Sequence, residues 1–190
     1  MLGEGPLWDP SRGVVWWVDI KRPALHAHEV ATGRNHTQLL DMRITALGLA
    51  HDNRLVGAGD PGFLRLAVAP YLRLCVESVI ACPDEPPGNR FNDGKVDAAG
   101  RFWAGTMDDE ERQPLGKLYR LDGNDITCVR SGIDVPNGPC FLDDGTILTT
   151  DTARRVIHAL TLDERGEPVG ERVFAQFDAS HGYPDGMTVD

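Results

Sequence analysis

The stretch Asp97-Ala98-Ala99-Gly100-Arg101-Phe102-Trp103-Ala104-Gly105 sets a tight polar turn directly against an aromatic run. Asp and Gly punctuate turns, and the aromatic residues behind them favour a strand. The same pattern occurs at Asp9-Pro10-Ser11-Arg12-Gly13 before Val14-Val15-Trp16-Trp17-Val18-Asp19, and at Asp143-Asp144-Gly145 before Thr146-Ile147-Leu148-Thr149-Thr150-Asp151. A degenerate copy is Asp52-Asn53-Arg54 before Leu55-Val56-Gly57, and a fifth copy opens at Thr188-Val189-Asp190. The leading aspartates Asp9, Asp52, Asp97, Asp143 and Asp190 thus recur about every 45 residues, the period of a β-propeller blade.

Further strands are predicted over 24–30, 116–121 and 156–162, from period-2 alternation bounded by Gly-containing turns. No segment keeps a helical period over three turns, which excludes helical solenoids. The 21 glycines and 13 prolines among 190 residues exceed average usage by about half, as a turn-rich β chain requires. The expectation is a single all-β domain spanning residues 1–190. Propellers close with four to eight blades; four repeats are complete here and a fifth is only begun, so a four-blade ring fits the length but not the started fifth repeat.

Charge narrows the function. With 19 Lys+Arg against 29 Asp+Glu the net charge is -10, which disfavours nucleic acid and anionic membrane surfaces as partners. Residues 1–6 carry no basic start or apolar run, so no targeting segment is expected. The most apolar stretch, 63–82, is interrupted by Arg65, Pro70, Arg73 and Glu77, which excludes a membrane span. Cys75, Cys82, Cys128 and Cys140 form no C-x-x-C pair and read as reduced, mostly buried thiols of a cytoplasmic protein. The six histidines fall outside the repeat register, and Trp8, Trp16, Trp17 and Trp103 read as core packing. Neither a G-x-S-x-G elbow nor a P-loop is present, so serine-nucleophile and nucleotide chemistry have no support.

Five to six residues upstream of the repeat aspartates stand Glu4, Leu47, Asn92, Asn137 and Asp185. Four of these five side chains carry oxygen, and each of the four lies in or beside a Gly-containing segment that reads as a tight turn. Any one alone reads as turn chemistry. Their shared register predicts convergence near a central channel, where they form a hard-oxygen cage suited to calcium, magnesium or manganese. Arg90 and Asn92, two apart in extended chain, point to one face and suit a polyhydroxylated ligand. The plainer reading of Arg90 is an ion pair with Asp93 or Asp97.

Gly3-Glu4-Gly5-Pro6-Leu7-Trp8, Asn89-Arg90-Phe91-Asn92-Asp93-Gly94-Lys95-Val96-Asp97, Arg101-Phe102-Trp103-Ala104-Gly105-Thr106-Met107, Val135-Pro136-Asn137-Gly138 and Tyr183-Pro184-Asp185-Gly186-Met187-Thr188-Val189-Asp190 together resemble the regucalcin/gluconolactonase (senescence marker protein) family. The resemblance runs from about Leu2 to Asp190 and is weakest between Pro61 and Pro87. It implies a six-bladed propeller of about 270 residues, of which this chain is expected to cover about four blades, truncated at its C-terminus. It also implies one divalent metal (calcium, zinc, manganese or magnesium) and a metal-dependent hydrolase activity that opens a sugar lactone such as gluconolactone. It implies Glu4, Asn137 and Asp185 as metal ligands, Arg90, Asn92 and Glu110 as substrate contacts, and Asp185 as the catalytic residue beside the attacking water. Two other readings stay open: a non-catalytic calcium-binding propeller with a regulatory role, and a related propeller hydrolase acting on another ester or lactone. Oligomeric state has no sequence signal here.

Overall fold

The structure, a computed structural model, describes residues 2–163 and 165–189. Asp190, the leading aspartate of the fifth repeat, lies outside the described residues. The chain divides into two compact units, one ending at Pro83 and one beginning at Asp84.

The first unit holds two antiparallel four-stranded sheets. One is β1 (Gly3–Asp9), β2 (Val14–Asp19), β3 (Ala24–Glu29) and β4 (Arg34–Leu39); the other is β5 (Ile44–Leu49), β6 (Leu55–Gly59), β7 (Gly62–Ala69) and β8 (Arg73–Ala81). The second unit repeats the plan with β9 (Asn89–Val96), β10 (Phe102–Asp108), β11 (Gly116–Asp122) and β12 (Asp125–Ile133), then β13 (Pro136–Phe141), β14 (Thr146–Asp151), β15 (Val156–Leu162) and β16 (Pro168–Gln176). Each sheet is a simple meander in chain order, the architecture of a propeller blade. Only two single-turn 3₁₀ segments, Pro70–Leu72 and Ala179–His181, depart from strand and loop among the described residues.

The repeat aspartate is a structural device. Asp9 Oδ1 accepts N–H bonds from Ser11 (3.1 Å) and Arg12 (3.2 Å), while its Oδ2 accepts from Arg12 Nη1 (2.6 Å) and the Trp16 indole (3.3 Å). Asp97 does the same with Ala99 N, Arg101 N, Arg101 Nε and Trp103 Nε1, at 2.7–2.9 Å. One carboxylate therefore closes the turn and satisfies a tryptophan that is fully buried in the next strand. In the fourth sheet the role moves one residue along, and Asp144 Oδ1 accepts from Thr146 N at 2.9 Å. The second sheet lacks the turn glycine; Asp52 and Asn53 themselves take left-handed φ of 60° and 58°. That substitution is why this copy reads as degenerate.

Apolar alternation builds the cores. In the first unit Trp16, Val18, Leu25, Ile44, Leu47, Leu55, Leu64 and Leu66 form one cluster, and each buried aliphatic side chain contributes about 1.5–3 kcal/mol. Leu47, which replaces an oxygen-bearing residue in the register, is a core residue. In the second unit Trp103, Leu118, Ile133, Ile147 and Leu160 fill the space between its two sheets. Two expectations are corrected. Trp8 is half exposed, because a bulge earlier in β1 shifts the alternation that would have buried it. Of the four cysteines only Cys140 is buried; Cys75 and Cys128 lie on fourth strands, which turn an edge to solvent, and Cys82 follows one.

Candidate active site

The residues selected by register lie mainly in first strands, at places where those strands are irregular. Register shifts fall between Glu4 and Leu7 in β1, and between Asn137 and Cys140 in β13. In β9 the stretch between Phe91 and Gly94 has one residue more than the facing stretch of β10, so Asn92 and Asp93 form the bulge. The glycine-containing segments expected to be turns are therefore bulges within strands, with Gly5 and Gly138 supplying the positive φ (59° and 81°) that a side chain resists. A bulge re-aims the side chains around it, which frees them from sheet alternation. Asp185 differs: it lies in the irregular segment after the 3₁₀ turn that ends at His181.

In the second unit four of the expected residues share one hydrogen-bonded network. Arg90 Nη1 donates to Asn92 Oδ1 (2.9 Å) and to the Phe91 carbonyl (2.9 Å), and Arg90 Nε donates to Asp109 Oδ1 at 2.5 Å. Asn92 Nδ2 donates in turn to Asn137 Oδ1 (3.0 Å) and to the Pro136 carbonyl (2.9 Å). Asn137, only 7% exposed, donates through Nδ2 to Thr152 Oγ1 at 2.8 Å. Thr152 Oγ1 donates in turn to the Pro184 carbonyl (2.7 Å), and Thr150 Oγ1 donates to the Asp185 carbonyl (3.3 Å). The bonds thus run from Arg90 through both asparagines to the backbone that carries Asp185.

Asp93 accepts from Gly94 N through Oδ1 (2.7 Å) and from Gly138 N through Oδ2 (2.8 Å), tying the β9 bulge to the β13 bulge. Burial pushes its carboxyl up from the ordinary value; these two N–H donors and Lys95 oppose the shift, and the charge of Asp185 reinforces it. Lys95 Nζ donates to the Met187 carbonyl at 2.8 Å, a further tie to the Asp185 segment.

The remaining two predicted residues lie elsewhere. Glu4 belongs to the first unit, half-buried on β1 opposite Val18. Glu110 sits in the connection between β10 and β11; it is exposed, and pairs with Arg112 at 2.8 Å. The plainer reading of Arg90 also needs correction: its ion-pair partner is Asp109, while Asp97 pairs with Arg101. Asp93, Asp109 and Thr152 were not singled out as site residues. Asp93 had a signal, its place inside the Asn92-Asp93-Gly94 string, whereas Thr152 enters only through tertiary pairing with Asn137.

Glu4, Asn137 and Asp185 offer oxygen donors alone. The Asn137 amide is oriented by its bond to Thr152, and its carbonyl oxygen accepts one hydrogen bond, from Asn92, leaving a lone pair of the kind a hard cation takes. The Asn137 oxygen is thus of the kind that suits a hard divalent ion such as calcium. Among the described residues no three His, Cys, Asp or Glu side chains cluster as a metal site. Nor is any helix among them long and apolar enough to cross a membrane.

The chain as a whole is similar to known proteins. A family profile described as the SMP-30/Gluconolactonase/LRE-like region matches residues 2–190. Pentonolactonase XacC of Haloferax volcanii is 34% identical over 192 residues, covering 100% of this chain and 63% of its own. The 6-deoxy-6-sulfogluconolactonase of Pseudomonas putida is 32% identical, covering 100% of this chain and 65% of its own. Among solved structures, a calcium-binding protein, regucalcin, from Agrobacterium tumefaciens superposes with a TM-score of 0.90 at 33% identity, covering 100% of this chain and 64% of its own. The fold class is thus an all-β propeller, here in four blades. The chain spans somewhat less than two thirds of the length of these relatives.

Proposed function

The chain belongs to the SMP-30/gluconolactonase/LRE-like family, and from that membership we propose that it carries the site of a hydrolase opening a sugar lactone to its aldonic acid. The observation that carries this reading is the continuous bonding of Arg90, Asn92 and Asn137 to the segment bearing Asp185. It is a polar, directed array of the kind that recognises a polyhydroxylated ring. The lactonase names of two relatives support the reaction class.

In this reading Arg90 and Asn92 bind substrate hydroxyls, and Glu110 contacts the substrate as well. Asp185 orients the attacking water and takes its proton as the water oxygen adds to the lactone carbonyl carbon. The ring C–O bond then breaks, and the leaving oxygen becomes a hydroxyl by accepting a proton. Glu4, Asn137 and Asp185 would hold one divalent ion, calcium, magnesium, manganese or zinc, which when bound supplies a Lewis acid for the carbonyl oxygen. We further read the protein as cytoplasmic, with a small molecule as its partner. The net charge of -10 supports the exclusion of nucleic acid.

A second reading is favoured by one finding, the description of the Agrobacterium structure as a calcium-binding protein. A propeller that binds calcium without catalysis would be stabilised by the ion and hydrolyse nothing. A pH-indicator assay over several aldonolactones and unrelated esters, run beside isothermal titration of calcium, magnesium, manganese and zinc, separates the readings. Aldonolactone hydrolysis that needs a metal supports the lactonase; stabilisation by metal with no turnover of any ester overturns it.

A further inference from the structure

Arg90 is held more tightly than substrate binding alone requires. Its side chain is only 9% exposed, and a guanidinium has five N–H donors. Nε is committed to Asp109 Oδ1 at 2.5 Å; Nη1 is committed twice, to the Phe91 carbonyl and to Asn92 Oδ1, each at 2.9 Å. Among the described residues, only Nη2 remains uncommitted.

This distribution has a chemical consequence. An arginine grips phosphate, sulfonate or carboxylate through two nitrogens of one edge, either Nε with Nη2 or Nη1 with Nη2. Here each edge contains a committed nitrogen, so neither fork is open to an oxyanion. Nη2 alone can still donate to a hydroxyl, ether or carbonyl oxygen. Asp109 is placed for the task by the fold: its backbone N donates to the Gly88 carbonyl at 3.1 Å, just beyond the pairs Met107 with Arg90 and Asp108 with Asn89.

We propose that Asp109 is a positioning residue that sets substrate class, closing the side-on fork of Arg90 so that the site takes uncharged polyhydroxy lactones and discriminates against lactones carrying an oxyanion. The proposal rests on the lactonase reading and adds a specificity element to it. Its role acts through Arg90, so it does not require Asp109 to touch substrate.

The test compares the parent chain with Asp109→Ala and Asp109→Asn, using glucono-1,5-lactone and 6-phosphogluconolactone. The amide of Asp109→Asn can still accept from Nε, whereas Asp109→Ala cannot. The ratio of kcat/KM for the phosphorylated over the neutral lactone should rise at least about tenfold in Asp109→Ala and stay near the parent value in Asp109→Asn. An unchanged ratio in Asp109→Ala, or an equal rise in both variants, overturns the proposal. A second arm needs no turnover: the Arg90 Nε–H resonance is followed by NMR during titration with inorganic phosphate. It should move in Asp109→Ala and stay fixed in the parent and in Asp109→Asn; movement in the parent, or none in Asp109→Ala, overturns the proposal. If the parent opens neither lactone the lactonase reading falls, while this arm still judges the fork.

Discussion

Asn92 and Asn137, 45 residues apart in sequence, are joined by a 3.0 Å bond from Nδ2 to Oδ1, with each residue standing at a bulge in the first strand of its sheet. The bond orients both amides at once, because Asn92 Oδ1 is taken by Arg90 and Asn137 Nδ2 by Thr152. Each donor has an acceptor, and reversing either amide would set like against like.

That pairing predicts the effect of Asn92→Asp. The change keeps shape but puts a second carboxylate oxygen where a donor faced Asn137 Oδ1 and the Pro136 carbonyl. The loss of both bonds, with acceptors left facing one another, should cost about 1–3 kcal/mol. Urea denaturation of the parent and the variant measures it, and equal midpoints would refute the assignment of donors.

Asp185→Ala should abolish lactone opening while far-UV circular dichroism stays at the parent spectrum, since the contacts that fix this segment, Thr150 to its carbonyl and Thr152 to that of Pro184, are made to backbone. Full activity in the variant would remove Asp185 from the chemistry. In the parent, EDTA should eliminate activity and a divalent ion restore it; indifference to chelation would count against the oxygen-donor set.

Gly94→Ala tests how closely the β9 bulge is packed. An added Cβ would lie 2.6 Å from the Trp103 carbonyl and 3.0 Å from the Ala104 side chain, so backbone has to move. We expect a loss of about 1–3 kcal/mol from overpacking, together with a fall in activity greater than that of an alanine at Gly170, where the nearest atom lies at an ordinary 3.8 Å and φ is not positive. Equal effects at the two positions would show that the bulge tolerates displacement.

Asp9 predicts acid sensitivity. Burial raises its carboxyl, but bonds from Ser11, Arg12 and Trp16 outweigh that and hold it below the ordinary aspartate value of 3.8. A depressed folded value contributes stability that is present above the ordinary value and lost as pH falls through the folded one. Asp93, shifted up, contributes in the opposite sense. Denaturation midpoints measured from pH 6 down to pH 3 should fall more steeply in the parent than in Asp9→Asn; parallel curves would show that Asp9 is not held in its charged form.

Much of this protein was legible in the order of its residues. The aspartate-led repeat, the strands behind Asp9 and Asp97, and the absence of helical periodicity are local properties, and local turn chemistry and alternation suffice to specify them. The meeting of Asn92 and Asn137 was legible too, because a repeated blade places equivalent positions at equivalent places. What the tertiary structure alone decided is pairing between distant residues: that Arg90 takes Asp109 rather than Asp93 or Asp97, that Thr152 orients Asn137, and that Asp93 bridges two bulges. Exposure of Cys75, Cys128 and Trp8 belongs to the same class. A bulge adds one residue and reverses every inward and outward assignment beyond it, and a side chain's partner depends on which strand is packed opposite. Neither quantity is carried by a residue's near neighbours in sequence, so both become readable only when the sheets are assembled.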